Sequence, residues 1–311
     1  MQVAVGLLRD SAGRVLVGRR GSDGHLPGVR EFPGGKLAVG ECARDALVRE
    51  MREELGIGVL AAVRILTIEH DYSDRAVVLH VYRIDVWNGE VHANEGQVLE
   101  WTDPQRLDAA CFPAASQAIV NAARLPHFYL ISPEPAAGTA IGATVEQVDR
   151  RLARGGIGLL QIRAPRLQQA AFLDYARALM DSAAGHGVGV LVNAPRSWLD
   201  HLPPAGWHLS ERRLLSLAAR PHCAGWLAAS VHDRRSLERA MALPVDFVVA
   251  GPVKATLTHP EARPLGLRGF AELCARASCP VFALGGLVPG DLRSVQEIGA
   301  QGVAGIRGLM D

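Results

Sequence analysis

Three glutamates, Glu50, Glu53 and Glu54, stand within five residues of one another in the stretch EFPGGKLAVGECARDALVREMREELGI, Glu31 to Ile57. Carboxylates one helical turn apart repel, so a chain that gathers them either leaves them in water or gives them something positive to hold. At about 100° per residue, Leu47, Val48, Met51 and Leu55 share the arc that a helix turns to a core, and the three glutamates fall on a neighbouring arc. Alone they would read as a solvated face. Their surroundings favour a divalent cation instead: Gly34 and Gly35 let backbone approach a ligand closely, Arg49 lies one turn before Glu53, and Gly56 supplies a stop. Hard carboxylate oxygens of this kind suit magnesium bound to phosphate substrates.

The elements that must position these groups change texture near residue 125. Before it, QVAVGLL, RVLVGRR, AVRILTIEHDY and VVLHVYRIDVW are short β-rich runs broken by Gly and Asp turns, with helices predicted at about 41–55 and 114–124. Residues 1–125 therefore read as an α+β domain. From residue 127 to 311, eight apolar strands alternate with helical stretches, which implies parallel strands with crossover helices. Eight such units in so short a span predict a (β/α)8 barrel of the TIM type rather than an open sheet.

Composition sets the outer limits. The chain has 311 residues, of which 49% are apolar, and 33 basic residues against 32 acidic leave a net charge of +1. That balance gives no electrostatic reason to expect a nucleic-acid polymer or an anionic membrane as partner, and small ligands are expected instead. The five cysteines form no C-x-x-C pair and no metal-like pattern; most are expected in the core of a protein from a reducing compartment. MQVAVGLL meets Arg9 too soon for a secretory leader, and no run approaches the ~18 apolar residues that span a bilayer. A cytoplasmic location is the expectation.

With Gly35, five residues, Glu41, seven residues and then REMREELGI, Arg49 to Ile57, the acidic segment resembles the Nudix box at every fixed position. Residues 1–125 as a whole resemble MutT-type nucleoside triphosphate pyrophosphohydrolases through VAVGLL, GRR, EFPGGK and NEGQ. The resemblance implies an α/β/α sandwich in which the carbonyl of Gly34 and the carboxylates of Glu50, Glu53, Glu54 and Glu95 hold magnesium, with manganese as a substitute. It makes Glu50 the base or water-orienting residue, positioned by Arg49, with Glu53 the third catalytic group. Arg20 would contact substrate phosphate or sugar, and His25, Phe32, Tyr72, Asp74 and Arg75 would lie near the nucleotide. The implied reaction is attack of water at phosphorus of a nucleoside triphosphate, such as 8-oxo-dGTP, giving the monophosphate and pyrophosphate. In FPAAS, Ser116 stands where the MutT type has a base-reading asparagine. A hydroxyl lacks the paired donor and acceptor of an amide, so weaker discrimination for the oxidised purine is expected.

Residues 127–311 resemble thiamine phosphate synthase and the related thiazole tautomerase through collinear pieces: FYLIS, LLQIR, LLVN, GWHLS, ASVH, FVVAGPV with TLT, PVFALGG and GVAGI. The resemblance implies that Gln161, Arg163 and Asn193 face a pyrimidine or its pyrophosphate. Ser230, Thr256, Thr258 and Gly286 would hold a thiazole or its phosphate, and His232 matches the histidine of the tautomerases. Four departures bear on synthase chemistry: Pro165 and His259 stand where lysines are expected, and Ala194 and Arg213 where metal-binding aspartates are expected. Without two carboxylates a magnesium pyrophosphate is hard to bind. Ser230, His232 and Asp233 do not form a hydrolase relay, being nearly adjacent on one strand.

Two functions for the whole chain follow. One is a Nudix pyrophosphohydrolase carrying a degenerate, ligand-binding barrel. The other is a two-site thiamine-pathway enzyme, whose first half cleaves thiamine-type pyrophosphates while its barrel acts as tautomerase or synthase. The altered RAPR and NAPR stretches favour the first.

Overall fold

The computed structural model describes residues 1–19, 29–136, 141–256 and 263–311. Arg20, His25 and Thr258, among the expected site residues, lie outside these, as does His259. The chain divides into two compact units: Met1–Arg124, with which Cys274–Pro280 is grouped, and Leu125–Leu273 with Val281–Asp311.

The first unit runs β1 (Gln2–Leu8), β2 (Val15–Arg19), β3 (Arg30–Glu31), β4 (Gly34–Lys36), α1 (Ala43–Leu55), β5 (Gly58–Asp71), β6 (Ala76–Asn88), β7 (Val98–Thr102) and α2 (Gln117–Arg124). One sheet has the order β4-β1-β6-β5, with β1 parallel to β6 and the other pairs antiparallel; a second, antiparallel sheet has the order β3-β2-β7. The unbroken apolar run of β1 is explained by burial on both faces, because successive strand residues point to opposite sides. Ala4 and Leu8 join the core that holds Ala46, Leu47, Met51 and Leu55 of α1, whereas Val5 and Leu7 join the one that holds Ile119 and Val120 of α2. This is the expected α/β/α sandwich. Gly6 lies on the α1 side, where a methyl group would come within 3.1 Å of the Met51 sulfur.

The short strands β3, β4 and β7 are absent from the sequence reading. Pro33 and the glycines of EFPGGK disfavour a strand locally, yet β4 is held by its register against β1, Val3 to Lys36 and Val5 to Gly34. The cysteine expectation also needs correction. Cys274 and Cys279 are buried, but Cys42 and Cys111 are exposed and Cys223 is half-buried. Cys42 works at the surface because it caps α1, its sulfur accepting the Asp45 N–H at 3.4 Å.

The second unit alternates β8 (Phe128–Ile131), α3 (Ile141–Ala153), β9 (Leu159–Ile162), α4 (Gln169–Gly185), β10 (Gly189–Val192), α5 (Arg196–Leu199), β11 (Gly206–Leu209), α6 (Glu211–Ser216), β12 (Leu227–Val231), α7 (Arg234–Ala242), β13 (Phe247–Ala250), α8 (Gly266–Arg276), β14 (Val281–Leu284), α9 (Leu292–Gln296) and β15 (Gly302–Gly305). The strands are parallel and close in chain order from β8 through β15 and back to β8. Tyr129, Phe247 and Phe282 pack inside with ring centroids 5.3–5.8 Å apart and fill the interior. A filled interior confines any ligand to the mouth of the barrel. Among the described residues no helix is long and apolar enough to cross a membrane.

Helix α1 ends at Gly56, whose φ of 70° lies in the left-handed region and whose N–H donates to the Arg52 carbonyl at 3.0 Å. A side chain in this conformation costs about 1–2 kcal/mol. Gly56→Ala is therefore expected to destabilise the first unit by about that amount, read as a lower midpoint for this unit's transition in urea unfolding of the full chain.

Candidate active site and ligand cavity

The acids on α1 are held together by one guanidinium. Arg49 uses all five of its N–H donors. Nε and Nη2 reach the two carboxylate oxygens of Glu41, both at 2.9 Å, Nη1 reaches Glu50 at 2.7 Å and Glu53 at 2.9 Å, and Nη2 also reaches the Lys36 carbonyl at 3.0 Å. Hydrogen bonds from Arg49 and from the Ala38 N–H hold Glu41 down to about 2, and the carboxylates in turn raise Arg49 above its ordinary value. Glu41 thus clamps Arg49 from outside the glutamate triplet, a role that spacing alone did not reveal.

The GG turn completes the arrangement. The Gly34 N–H donates to Glu54 at 2.8 Å. A methyl group at Gly34, whose φ is 147°, would overlap the Ala4 carbonyl, and one at Gly35 would overlap the Glu50 carboxylate. The two glycines are therefore required for the backbone to lie directly against the acid helix. A solvated face describes Glu53, 54% exposed, but not Glu50, of which only 15% is exposed. Burial pushes Glu54 up to about 7 despite the Gly34 bond, and the charges of Glu95, Glu31 and Glu50 push the same way.

Loop residues 92–97 bring Glu95 to this helix end by satisfying carbonyls that α1 leaves open. His92 N–H donates to Leu55 and Asn94 N–H to Glu54, while the Asn94 and Gln97 side-chain amides donate to Glu53 and Glu54 at 3.1 and 3.2 Å. Among the described residues no three acidic, His or Cys side chains converge as a ready-made metal cage. Arg49 draws Glu50 and Glu53 to itself and Glu54 turns to Gly34. The set nonetheless fits a hard cation: it has carboxylate oxygens, an adjacent backbone carbonyl, and in Glu54 a half-buried acid that no cationic side chain pairs among the described residues. Such an ion takes its remaining oxygens from water and substrate phosphate.

Of the residues expected near the nucleotide, Phe32 is a core side chain stacked on Phe112 at 5.1 Å. Tyr72 packs on the same cluster, and its hydroxyl accepts the Ala115 N–H at 3.4 Å, next to the buried Ser116. These three therefore gather around the segment 112–116. Asp74 and Arg75 pair with each other at 3.3 Å in the turn joining β5 and β6.

In the second unit the expected residues converge. Gln161, Arg163, Asn193, Ser230, His232, Thr256 and Gly286 all line one cavity of about 810 Å³. All but Thr256, which lies in the segment after β13, sit at or just beyond the carboxyl ends of their strands. Arg263 and Arg307 also line it, with Glu211 as an acidic wall residue. Arg213 does not gather carboxylates here; its Nη1 donates to the Asn193 side-chain oxygen at 2.8 Å. His232 Nδ1 lies 2.5 Å from the Gly251 carbonyl. Since a carbonyl only accepts, Nδ1 carries a proton and Nε2 is the ring nitrogen left to face other partners.

Sequence reasoning missed His208. It is buried on β11 in GWHLS, bonded to Tyr129 and Ser230, and burial together with Arg163 and Arg213 pushes it down to about 3. A histidine within a strand whose neighbours are apolar is the only signal the sequence carries for it.

Comparison with known proteins gives two non-overlapping matches. The family profile described as NUDIX domain matches residues 4–122, and the one described as Thiamine monophosphate synthase matches residues 128–309. The first part is 35% identical to the 8-oxo-dGTP diphosphatase of Escherichia coli over 120 residues, covering 39% of this chain and 93% of the relative. It is also 35% identical to the CTP pyrophosphohydrolase of E. coli over 103 residues, covering 33% of this chain and 75% of the relative. The second part is 31% identical to the thiamine-phosphate synthase of Azorhizobium caulinodans over 174 residues, covering 55% of this chain and 82% of the relative.

The environment of Glu54 predicts a pH effect. Because its carboxyl is raised from 4.5 to about 7, the folded, metal-free protein holds this proton more tightly than the unfolded chain. The contribution of Glu54 to stability should then be greatest below pH ~4.5, fall as pH rises towards ~7, and level off above that. In chelator, the stability gained on Glu54→Gln, measured by urea unfolding across pH, should grow through that window. A pH-independent difference would contradict the assigned burial.

Proposed function

Because the chain belongs to the Nudix hydrolases through its first unit and to the thiamine monophosphate synthase family through its second, we propose that it is a magnesium-dependent pyrophosphohydrolase of nucleoside triphosphates carrying a metal-independent, phosphate-ester-binding barrel. The observation that carries the first half is Arg49 holding Glu50 and Glu53 beside the GG turn, with Glu54 directly behind it.

The Gly34 carbonyl and Glu50, Glu53, Glu54 and Glu95 would hold the cation; manganese satisfies the same oxygen set. When bound, it neutralises charge on the phosphate chain and activates water. Glu50, fixed by Arg49 against the flat face of Gly35, orients the attacking water and accepts its proton. Arg49 also keeps Glu53 from turning away, and the Gly34 N–H holds Glu54. The products are the nucleoside monophosphate and pyrophosphate. Of the relatives, one is named for 8-oxo-dGTP and another for CTP, so the base is decided by local contacts such as Ser116 near Phe32 and Tyr72. An oxidised purine is the base we assign.

For the barrel, a cavity bearing Arg163, Arg263 and Arg307, with Glu211 the one acid among its described lining residues, supports an anionic ligand, namely a thiazole or pyrimidine phosphate. Arg213 beside Asn193, and Ala194 next in sequence, supply no oxygen pair for a magnesium pyrophosphate. The expected result with a pyrimidine pyrophosphate and a thiazole phosphate is no detectable thiamine phosphate. Robust product formation would establish the two-site thiamine-pathway reading instead.

Glu50→Gln, Glu53→Gln and Glu54→Gln should each lower magnesium-dependent turnover by on the order of 100-fold or more with folding retained. Undiminished kcat at saturating magnesium would remove that residue from the site. Ser116→Asn should raise the kcat/KM ratio for 8-oxo-dGTP over dGTP, a paired hydrogen bond to a base being worth about 1–3 kcal/mol. An unchanged ratio would locate base reading elsewhere.

A further inference from the structure

An unbroken chain of side-chain hydrogen bonds crosses the barrel from its rim to its cavity. Arg213 Nη1 meets Asn193 Oδ1 at 2.8 Å, and Asn193 Nδ2 meets Gln161 Oε1 at 3.1 Å. Gln161 Nε2 then meets the Tyr129 hydroxyl at 3.4 Å, that hydroxyl meets His208 Nδ1 at 3.2 Å, and His208 Nε2 meets Ser230 Oγ at 2.9 Å. Gln161, Tyr129 and His208 are no more than 2% exposed, so water does not compete for the two bonds that join them.

The chain begins at a group that can only donate, and this fixes the direction of every bond after it. Asn193 must present its oxygen to Arg213 and hence its NH₂ to Gln161. Gln161 must present its oxygen to Asn193 and its NH₂ to Tyr129. The Tyr129 oxygen accepts that bond, so its proton goes to His208 Nδ1. His208 is then neutral with its proton on Nε2, which it donates to Ser230. The Ser230 oxygen accepts from His208, and its own proton points away from His208, in a residue that lines the cavity.

We propose that Arg213 is a positioning residue that sets the polarity of this buried chain. It fixes His208 as the Nε2–H tautomer and commits the Ser230 hydroxyl to donate into the cavity. A ligand that takes this bond therefore carries an acceptor at that point, a phosphate or carboxylate oxygen or an unprotonated ring nitrogen, and a group with no lone pair to offer, such as an ammonium, cannot take it. The ligand class rests on the reading of the barrel as a ligand site, but the tautomer does not.

The test is the imidazole spectrum of His208 in the ligand-free full chain, labelled with ¹⁵N-histidine and assigned by loss of its signals in His208→Gln. Wild type should show a single neutral tautomer protonated at Nε2 at pH 7; protonation at Nδ1, or an imidazolium, would overturn the proposal. Arg213→Glu replaces the obligate donor by an acceptor, which reverses each bond, so the proton should move to Nδ1. Should that variant fail to fold, Arg213→Met removes the donor without adding an acceptor, and the single tautomer should give way to a mixture. An unchanged Nε2–H tautomer in whichever variant folds would show that Arg213 does not set the polarity. A structural role for Arg213 alone would lower stability without moving the proton.

Discussion

The first unit depends on keeping carboxylates close together in spite of their repulsion. Arg49 does this by spending each of its donors on a different acceptor or edge, which a lysine with one compact ammonium could not do. The geometry then propagates outward. Glu41 has to sit on the outer side to receive the guanidinium fork, Gly35 has to lack a side chain because the Glu50 carboxylate lies against it, and β4 has to run along β1 to bring the GG turn there. The 92–97 loop closes the far end by bonding to the last carbonyls of α1. A helix that would be a poor surface helix is thus a well-supported one, and its residual electrostatic cost is concentrated at Glu54, where a cation is proposed to relieve it.

The barrel solves the opposite problem. Its mouth gathers arginines, and the polar groups beneath them are neutral. His208 illustrates the point: surrounded by apolar side chains and facing Arg163 and Arg213, it stays uncharged, and a neutral imidazole can pass a hydrogen bond onwards in one sense only. The aromatic packing of Tyr129, Phe247 and Phe282 excludes water from the interior. Exclusion of water is what lets a polarity set at the rim reach Ser230 undiluted.

Much of this was legible in the sequence because the signals were periodic or fixed in spacing. The double-sided burial of β1 follows from its uninterrupted apolar run, the helix stop from Gly56, and the closed barrel from eight short strands alternating with helices. The convergence of Gln161, Asn193, Ser230 and Gly286 follows from their places at strand ends. What was not legible depends on partners distant in the chain. Nothing local marks EFPGGK as a strand, since β1 supplies its bonds. Nothing in spacing says that Asn94 and Gln97 bond carbonyls of α1 some forty residues earlier, or that Cys42 is kept as a cap rather than as a core residue. The direction of the Arg213 chain is legible only once its five bonds are seen to share donors and acceptors.

Under the proposed functions, the two units would meet phosphate by contrasting means. In the first, acids are assembled around a glycine turn, so a phosphate chain can be met only through an intervening cation. In the second, arginines and oriented hydroxyl and backbone donors can meet a phosphate directly. A site that works through a cation can bind a polyphosphate whose charge would otherwise be repelled, and it activates water in the same place, which suits hydrolysis. A site built from fixed donors offers no such activation. It can hold a monoester and discriminate among the atoms beside it, and that selectivity is set by groups such as Ser230, whose role as a donor is decided on the far side of the barrel wall.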